Sequence, residues 1–226
     1  MTEVKEMSNI LINNTSNIFN SLSFYAPIII CVSIIVFSMF TATMEKAFVF
    51  FLWIFIITFI RIIVFKGLKS SQDVNIPDIC LTGLSQMFIP KDITYSTYIL
   101  SFSLMYFIMP MIMISRQNNV NVMNYGVLAF FIGYIMLDLI IKNSLSCLPK
   151  DPLSMFSGIM SKIVIGDILS GVFLGSVISG LIMYGTTLKG YLYINEMNSN
   201  KEVCSMPSKQ QFKCKVFKDG TLVGEV

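Results

Sequence analysis

Five apolar runs, each close to 20 residues long, limit what this chain can fold into. A helix needs roughly 20 apolar residues to cross a hydrocarbon core of about 30 Å. Of the 226 residues, 54% are hydrophobic and only 13% are charged, whereas soluble domains carry about 25% charged residues. A water-soluble globule of this length could not bury so much apolar surface. The sequence therefore predicts an all-α integral membrane protein with a bundle of about five transmembrane helices.

The apolar runs divide the chain into three parts. Residues 1–23 form a polar N-terminal segment, residues 24–188 the helical bundle, and residues 189–226 a polar, basic C-terminal tail. Five is the best count of spans, because a count of four or six requires one run to be re-entrant. A tight turn at Glu45-Lys46 is predicted between the first two spans. The predicted spans are residues 24–44, 47–65, 93–114, 122–141 and 162–187.

The end of the tail has the pattern of a β-hairpin. Apolar and basic residues alternate up to Val216, and Asp219-Gly220 is followed by a second apolar stretch. Alternation on both sides of an Asp-Gly pair is typical of two strands joined by a tight turn. Two strands alone are marginally stable. We therefore expect that a disulfide or a partner stabilises the hairpin, or that the segment is disordered.

Several classes of function are excluded by missing residues. The chain contains no histidine, which removes the usual acid–base residue near neutral pH and the commonest metal ligand. The sequence also lacks the P-loop, GxGxxG, CxxC and GxSxG motifs. A net charge of +3 is too small to indicate nucleic-acid binding. We expect no enzymatic activity, no cofactor, no metal site and no nucleic-acid partner.

Three charged residues within the predicted spans are candidates for a functional site. Arg61, Asp138 and Asp167 lie toward the same side of the membrane in the five-span topology, and intramembrane charges are functional candidates by default. They could converge as a buried carboxylate–guanidinium cluster that relays protons or cations, or binds an anionic substrate at Arg61. In the structural interpretation, which their position near the interface favours, Asp138 pairs with Lys142. Arg61 then extends to the lipid headgroups, and Asp167 pairs locally or caps a helix.

The fifth span carries two ridges of small residues. Helices in lipid associate by close van der Waals contact, which such ridges allow. The sequence therefore predicts that span five packs at the centre of the bundle or against another copy. The ridge residues are Gly171, Gly175 and Ser179 on one line, and Ser176 and Gly180 on another.

The distribution of basic residues favours a cytoplasmic N-terminus. Eight Lys or Arg residues lie close to the membrane on the N-terminal side and four on the other, and cytoplasmic loops carry the excess of these residues. In that orientation, Cys80 and Cys147 face a reducing compartment. Cys204 and Cys214 are then the candidate disulfide, since disulfides persist in oxidising compartments.

The segment from Cys204 to Cys214, together with a composition typical of an AT-rich genome and a small helical bundle, resembles uncharacterised multi-spanning membrane proteins of giant nucleocytoplasmic DNA viruses. The matching segment covers about a dozen residues and carries no catalytic residue across. The resemblance implies a component of a virion inner membrane or of a host membrane.

Two functions remain open from the sequence. The first is a structural or assembly role that depends on helix packing and the basic tail, with the lipid bilayer, another copy or other membrane proteins as partners. It predicts that Gly171→Leu with Gly175→Leu prevents assembly, whereas Asp138→Asn and Asp167→Asn are tolerated. The second is a small transporter or channel that uses Arg61, Asp138 and Asp167, and it predicts the opposite pattern.

Overall fold

The computed structural model describes residues 18–68, 77, 80, 92–118, 123–148, 162–185, 189–194, 215–218 and 221–225. Within these ranges the chain forms six α-helices, a short 3-10 helix and two paired strands. The helices are α1 (Ile18–Phe24), α2 (Ala26–Phe40), α3 (Met44–Leu68), α4 (Tyr95–Asn118), α5 (Tyr125–Ser144) and α6 (Lys162–Tyr184). The 3-10 helix is Lys189–Tyr191, and strands β1 (Lys215–Lys218) and β2 (Thr221–Glu225) pair antiparallel.

Four helices, α3 to α6, are long and apolar enough to cross a membrane. They correspond to the second to fifth spans predicted from the sequence, with ends that differ by a few residues. The count rises to five if the bent pair α1 and α2 is one span. Four of the five predicted spans are therefore confirmed as long apolar helices, and the first predicted span is not.

The first predicted span, residues 24–44, holds a helix of only 15 residues, α2, and the short helix α1 precedes it, mostly within the predicted polar segment of residues 1–23. α1 and α2 meet at an angle of 82° around Tyr25. Pro27 lies in the first turn of α2, where the missing N–H is not needed and the fixed φ suits a helix start. α2 alone has 15 residues and is about 22 Å long at 1.5 Å per residue, which is short of a ~30 Å hydrocarbon core.

The turn between α2 and α3 also differs from the prediction. It lies at Thr41–Thr43, and Ala42 adopts a positive φ of 53° there. The hydroxyls of Thr41 and Thr43 are hydrogen-bonded to each other at 2.7 Å. Glu45, which was predicted in the turn, lies in the first turn of α3, where a negative charge interacts favourably with the helix dipole.

Helix α4 lies at the centre of the bundle. Of its spanning residues 67% are buried, against 28% for each of the other three candidate spans. The prediction that span five lies at the centre is therefore wrong, because α6 packs along one side of α4 and exposes its other face. The sequence of α4 is the most polar of the four, and its buried residues include Ser96, Thr97, Ser101 and Ser103.

Two glycines allow the close approach of α6 to α4. A Cβ atom on Gly171 would lie 2.6 Å from the backbone oxygen of Tyr98, and one on Gly175 would lie 2.5 Å from that of Phe102. Side chains at these positions would collide with backbone, which cannot rotate away. The first small-residue ridge is thus a contact within the chain.

The second ridge does not take part in this contact. Ser176 donates to the oxygen of Val172 in its own helix at 2.7 Å, and a Cβ on Gly180 would meet nothing within 4 Å among the described residues. Ser179 is fully buried and donates to the oxygen of Gly175 at 2.7 Å. Ser179 therefore belongs to the packed side of α6.

The segment after α6 belongs to the core of the bundle, although the sequence places it in the polar tail. Leu192 and Tyr193 are buried, and the hydroxyl of Tyr193 is hydrogen-bonded to Ser38 Oγ at 2.5 Å. The ring of Tyr193 lies 5.9 Å from that of Phe37 in α2 and 5.8 Å from that of Phe107 in α4. Residues 189–194 therefore tie α2 to the central helix.

We predict that Gly171→Ala destabilises the bundle by about 1–3 kcal/mol, because the added methyl group must push α4 and α6 apart. Gly180→Ala is the matched control in the same helix, and we expect it to leave stability unchanged or raise it by up to about 1 kcal/mol through helix propensity. Thermal unfolding in detergent measures both. Equal effects of the two substitutions would contradict the packing described.

Candidate functional site

Two clusters of charged and hydroxyl side chains surround the first turns of α4. One contains Arg61, Asp92, Thr94 and Asp167 and is called the arginine cluster. The other contains Ser23, Ser96, Thr97, Asp138 and Lys142 and is called the lysine cluster. They lie on different sides of the same helix start, so one end of the bundle holds both.

In the arginine cluster, one guanidinium binds two carboxylates in bidentate fashion. Arg61 donates to Asp92 through Nε at 2.7 Å and Nη2 at 2.9 Å. It donates to Asp167 through Nη1 at 2.7 Å and Nη2 at 3.1 Å. Such paired bonds are the strongest that arginine forms. Arg61 therefore joins α3 to α6 and to the residues that precede α4.

Two further residues complete the arginine cluster: Thr94, which directly precedes α4, and Tyr98, in the first turn of α4. The hydroxyl of Thr94 donates to Asp167 Oδ2, and it accepts from Arg61 Nη2 at 3.2 Å. The guanidinium carbon of Arg61 lies 4.6 Å from the centre of the Tyr98 ring, a distance that allows a cation–π interaction. The guanidinium is thus enclosed by two acids and an aromatic face.

The arginine cluster carries more negative than positive charge. With both carboxylates ionised, Arg61, Asp92 and Asp167 have a formal charge of −1. The side chain of Asp92 is 1% exposed, that of Arg61 10% and that of Asp167 16%. Asp167 is therefore the acid of this cluster that lies nearest the surface of the bundle.

In the lysine cluster, a fully buried ion pair is saturated with hydrogen bonds. Lys142 Nζ donates to Asp138 Oδ2 at 2.8 Å, and both side chains are completely buried. An ammonium group has three N–H donors, and Lys142 uses the other two on Ser96 Oγ and on Thr97 Oγ1. The cluster is neutral overall, and its cation has an acceptor for every hydrogen.

Asp138 accepts hydrogen bonds from three hydroxyls as well as from Lys142. Ser23 donates to Oδ1 at 2.5 Å and Thr97 to Oδ2 at 2.6 Å, and Ser96 lies 3.0 Å from Oδ1. These donors come from α1 and α4. Asp138 therefore links α5 to both helices.

The sequence prediction of one cluster of Arg61, Asp138 and Asp167 is corrected by this geometry. Arg61 and Asp167 are in contact, but Asp138 belongs to the separate lysine cluster. Asp138 pairs with Lys142, as the structural interpretation of the sequence predicted. The third member of the arginine cluster is Asp92, which the sequence places at the end of a polar connection. Its position just before an apolar span, on the same side as Arg61, is the signal that could have identified it.

A disulfide joins Cys80 and Cys147 next to the two clusters. Both cysteines are buried, and they pack with Phe24, Ile93 and Leu145. The candidate disulfide between Cys204 and Cys214 lies outside the described residues. Among the residues that the structure describes, Cys31 is a free cysteine.

Within the described ranges, no group of three or more His, Cys, Asp or Glu side chains could hold a metal ion. The carboxylates of both clusters are instead directed to basic side chains and hydroxyls of the chain itself. A comparison of the chain with protein-family models, with curated protein sequences and with solved structures finds no match.

We predict that Asp138→Asn destabilises the bundle by about 3–5 kcal/mol, because it leaves the buried ammonium of Lys142 without its counter-charge. This revises the expectation from sequence that Asp138→Asn is tolerated. The double variant Asp138→Asn/Lys142→Met removes both charges, so we expect it to recover most of the lost stability. Thermal unfolding in detergent gives the comparison. A double variant less stable than Asp138→Asn would show that the pair is not the source of the effect.

Proposed function

We propose that the chain is an integral, multi-pass membrane protein with a structural or assembly role, and that its charged residues act as ties between its own helices. The apolar outer surface of the bundle supports the membrane embedding. Helices α3, α5 and α6 direct many large apolar side chains away from the bundle, whereas soluble monomers rarely expose large contiguous apolar patches. Examples are Phe48, Phe55 and Phe59 on α3, Phe130 and Met136 on α5, and Leu169, Phe173 and Leu181 on α6.

The observation that carries this proposal is the pairing of the buried charges. A charge within a bilayer is costly unless it meets a partner or a water-filled cavity. Arg61 binds Asp92 and Asp167, and Lys142 binds Asp138. The Arg61 contacts join α3 to α6, and the Asp138–Lys142 pair, which lies within α5, reaches α1 and α4 through the hydroxyls bonded to it. A transport pathway, in contrast, needs charged groups that exchange partners. The proposal assigns no catalytic step to the chain.

The lipid bilayer is the partner that the apolar surface supports. Packing against a second copy stays a prediction from the sequence, since the Gly171 and Gly175 ridge contacts α4 of the same chain. The resemblance of residues 204–214 to viral membrane proteins extends the proposal to a virion inner membrane or a host membrane.

A small transporter or channel is the second candidate. It is favoured by the presence of two carboxylates beside one guanidinium in the arginine cluster, of which Asp167 is the more exposed, at 16%. A proton or a cation is the species that such a carboxylate would bind. Asp138 has no comparable exposure, since it is completely buried with Lys142.

Proton flux in liposomes separates the two functions. For a structural role, we expect liposomes that contain the full chain to keep an imposed pH gradient as long as protein-free liposomes do. Asp167→Asn should behave in the same way and should remain monodisperse in detergent, because Arg61 keeps its bidentate pair with Asp92.

The opposite result would support transport. Faster decay of the gradient with the wild-type chain, abolished by Asp167→Asn, would contradict the structural role. Asp138→Asn/Lys142→Met is the matched control, since it removes charges from the enclosed lysine cluster and should leave any flux through the arginine cluster in place.

A further inference from the structure

The Cys80–Cys147 disulfide connects segments that are far apart in the chain. The two cysteines are separated by 67 residues, and their Cα atoms lie 5.6 Å apart. Cys80 belongs to the connection before α4, and Cys147 follows the end of α5. The bond therefore closes a loop that contains the whole of α4 and the whole of α5.

The disulfide touches both charge clusters through its neighbours. Ile93, which packs on it, lies between Asp92 and Thr94 of the arginine cluster. The backbone N–H of Cys147 donates to the backbone oxygen of Lys142 at 2.9 Å. Phe24, which packs with both cysteines, follows Ser23 of the lysine cluster in the sequence. One covalent link thus supports the segments that position Asp92, Lys142 and Ser23.

The distribution of basic residues favours a cytoplasmic location for the end that holds both clusters, but less strongly in the structure than in the sequence. Of the eight basic residues counted on the N-terminal side, Arg61 and Lys142 form ion pairs inside the bundle. Six remain on that side against four on the other. Because the bias of Lys and Arg sets the orientation, a difference of two residues favours a cytoplasmic N-terminus less strongly than a difference of four.

We propose that the end of the bundle holding both clusters faces an oxidising compartment, where Cys80 and Cys147 close as a clamp on them. This orientation is the reverse of the one that basic residues predict, and it rests on the membrane embedding proposed above. Disulfides form and persist in secretory, periplasmic or extracellular compartments and are rare in the cytosol. The turn at Thr41–Thr43 and the tail then lie on the cytoplasmic side.

Closing the clamp requires an oxidised partner in that compartment. The thiolate of one cysteine attacks the disulfide of a thiol–disulfide oxidoreductase and forms a mixed disulfide with it. The thiolate of the second cysteine then attacks the chain's own sulfur in that mixed disulfide, and the oxidoreductase leaves as a thiolate. The chain loses two electrons and two protons, and the oxidoreductase becomes a dithiol. Assembly of the charged end is complete only after this exchange, so the compartment determines when the clamp forms.

Single reporter cysteines test the orientation. In full chains with all five native cysteines replaced, Ser144→Cys places a reporter at the exposed end of α5 beside the clusters. Gln117→Cys places the matched reporter at the exposed far end of α4. Vesicles sealed with the cytoplasmic side outward are treated with a membrane-impermeant polyethylene glycol maleimide. We expect modification of the Gln117→Cys chain in sealed vesicles, and of the Ser144→Cys chain only after detergent is added.

The other outcomes each overturn the inference in a distinguishable way. Modification of the Ser144→Cys chain in sealed vesicles, with the Gln117→Cys chain protected, gives the opposite orientation and leaves the membrane proposal standing. Modification of both chains in sealed vesicles shows that no bilayer separates the two ends, and the proposed membrane embedding then fails as well.

A second experiment tests the clamp itself. In a chain that keeps only Cys80 and Cys147, denaturation in the presence of the maleimide should add no polymer before reduction and two polymers after it. In the wild-type background, Cys147→Ser should lower the unfolding temperature by roughly 5–15 °C, and Cys31→Ala is the control that should not. Two additions before reduction, or equal unfolding temperatures for Cys147→Ser and wild type, would refute the clamp.

Discussion

Ion pairing around the first turns of α4 is the interaction on which the rest of the structure depends. Arg61 from α3 and Asp167 from α6 meet on one side of this helix start, and Asp138 with Lys142 from α5 occupies another. Hydroxyls of α4 bridge the two clusters to the helix. Because an unpaired charge in an apolar medium is far more costly than a paired one, these contacts specify which helices can be neighbours of α4.

Packing of uncharged groups completes the arrangement away from the charged end. Gly171 and Gly175 allow the backbones of α4 and α6 to touch, and van der Waals contact of this kind is the main attraction between helices in lipid. Toward the other end, Tyr193 fits between α2 and α4 and is hydrogen-bonded to Ser38. Polar contacts at one end and aromatic contacts at the other thus hold a bundle whose outer faces stay apolar.

The sequence predicts the features that depend on local pattern. Run length identifies the four long helices, small residues identify the contact face of α6, and a spacing of four residues identifies the Asp138–Lys142 pair. Features that depend on how helices meet are not visible in this way. Asp92 is not in a predicted span, and Tyr193 belongs to a short apolar stretch, residues 191–194, within a tail that is otherwise polar, so neither is predicted to be buried. The composition of the apolar run at residues 24–44 reveals neither the bend at Tyr25, which lies at its start, nor the end of α2 at Phe40. Cysteine spacing, likewise, does not determine which cysteines pair.

The account as a whole depends on hydrocarbon as the solvent of the outer faces of α3, α5 and α6. The most direct measurement is extraction of membranes from expressing cells with alkaline carbonate, followed by removal of detergent from the purified chain. We expect the chain to stay in the membrane pellet and to aggregate once detergent is withdrawn. Recovery in the carbonate supernatant, with a dispersed monomer in the absence of detergent, would contradict the account.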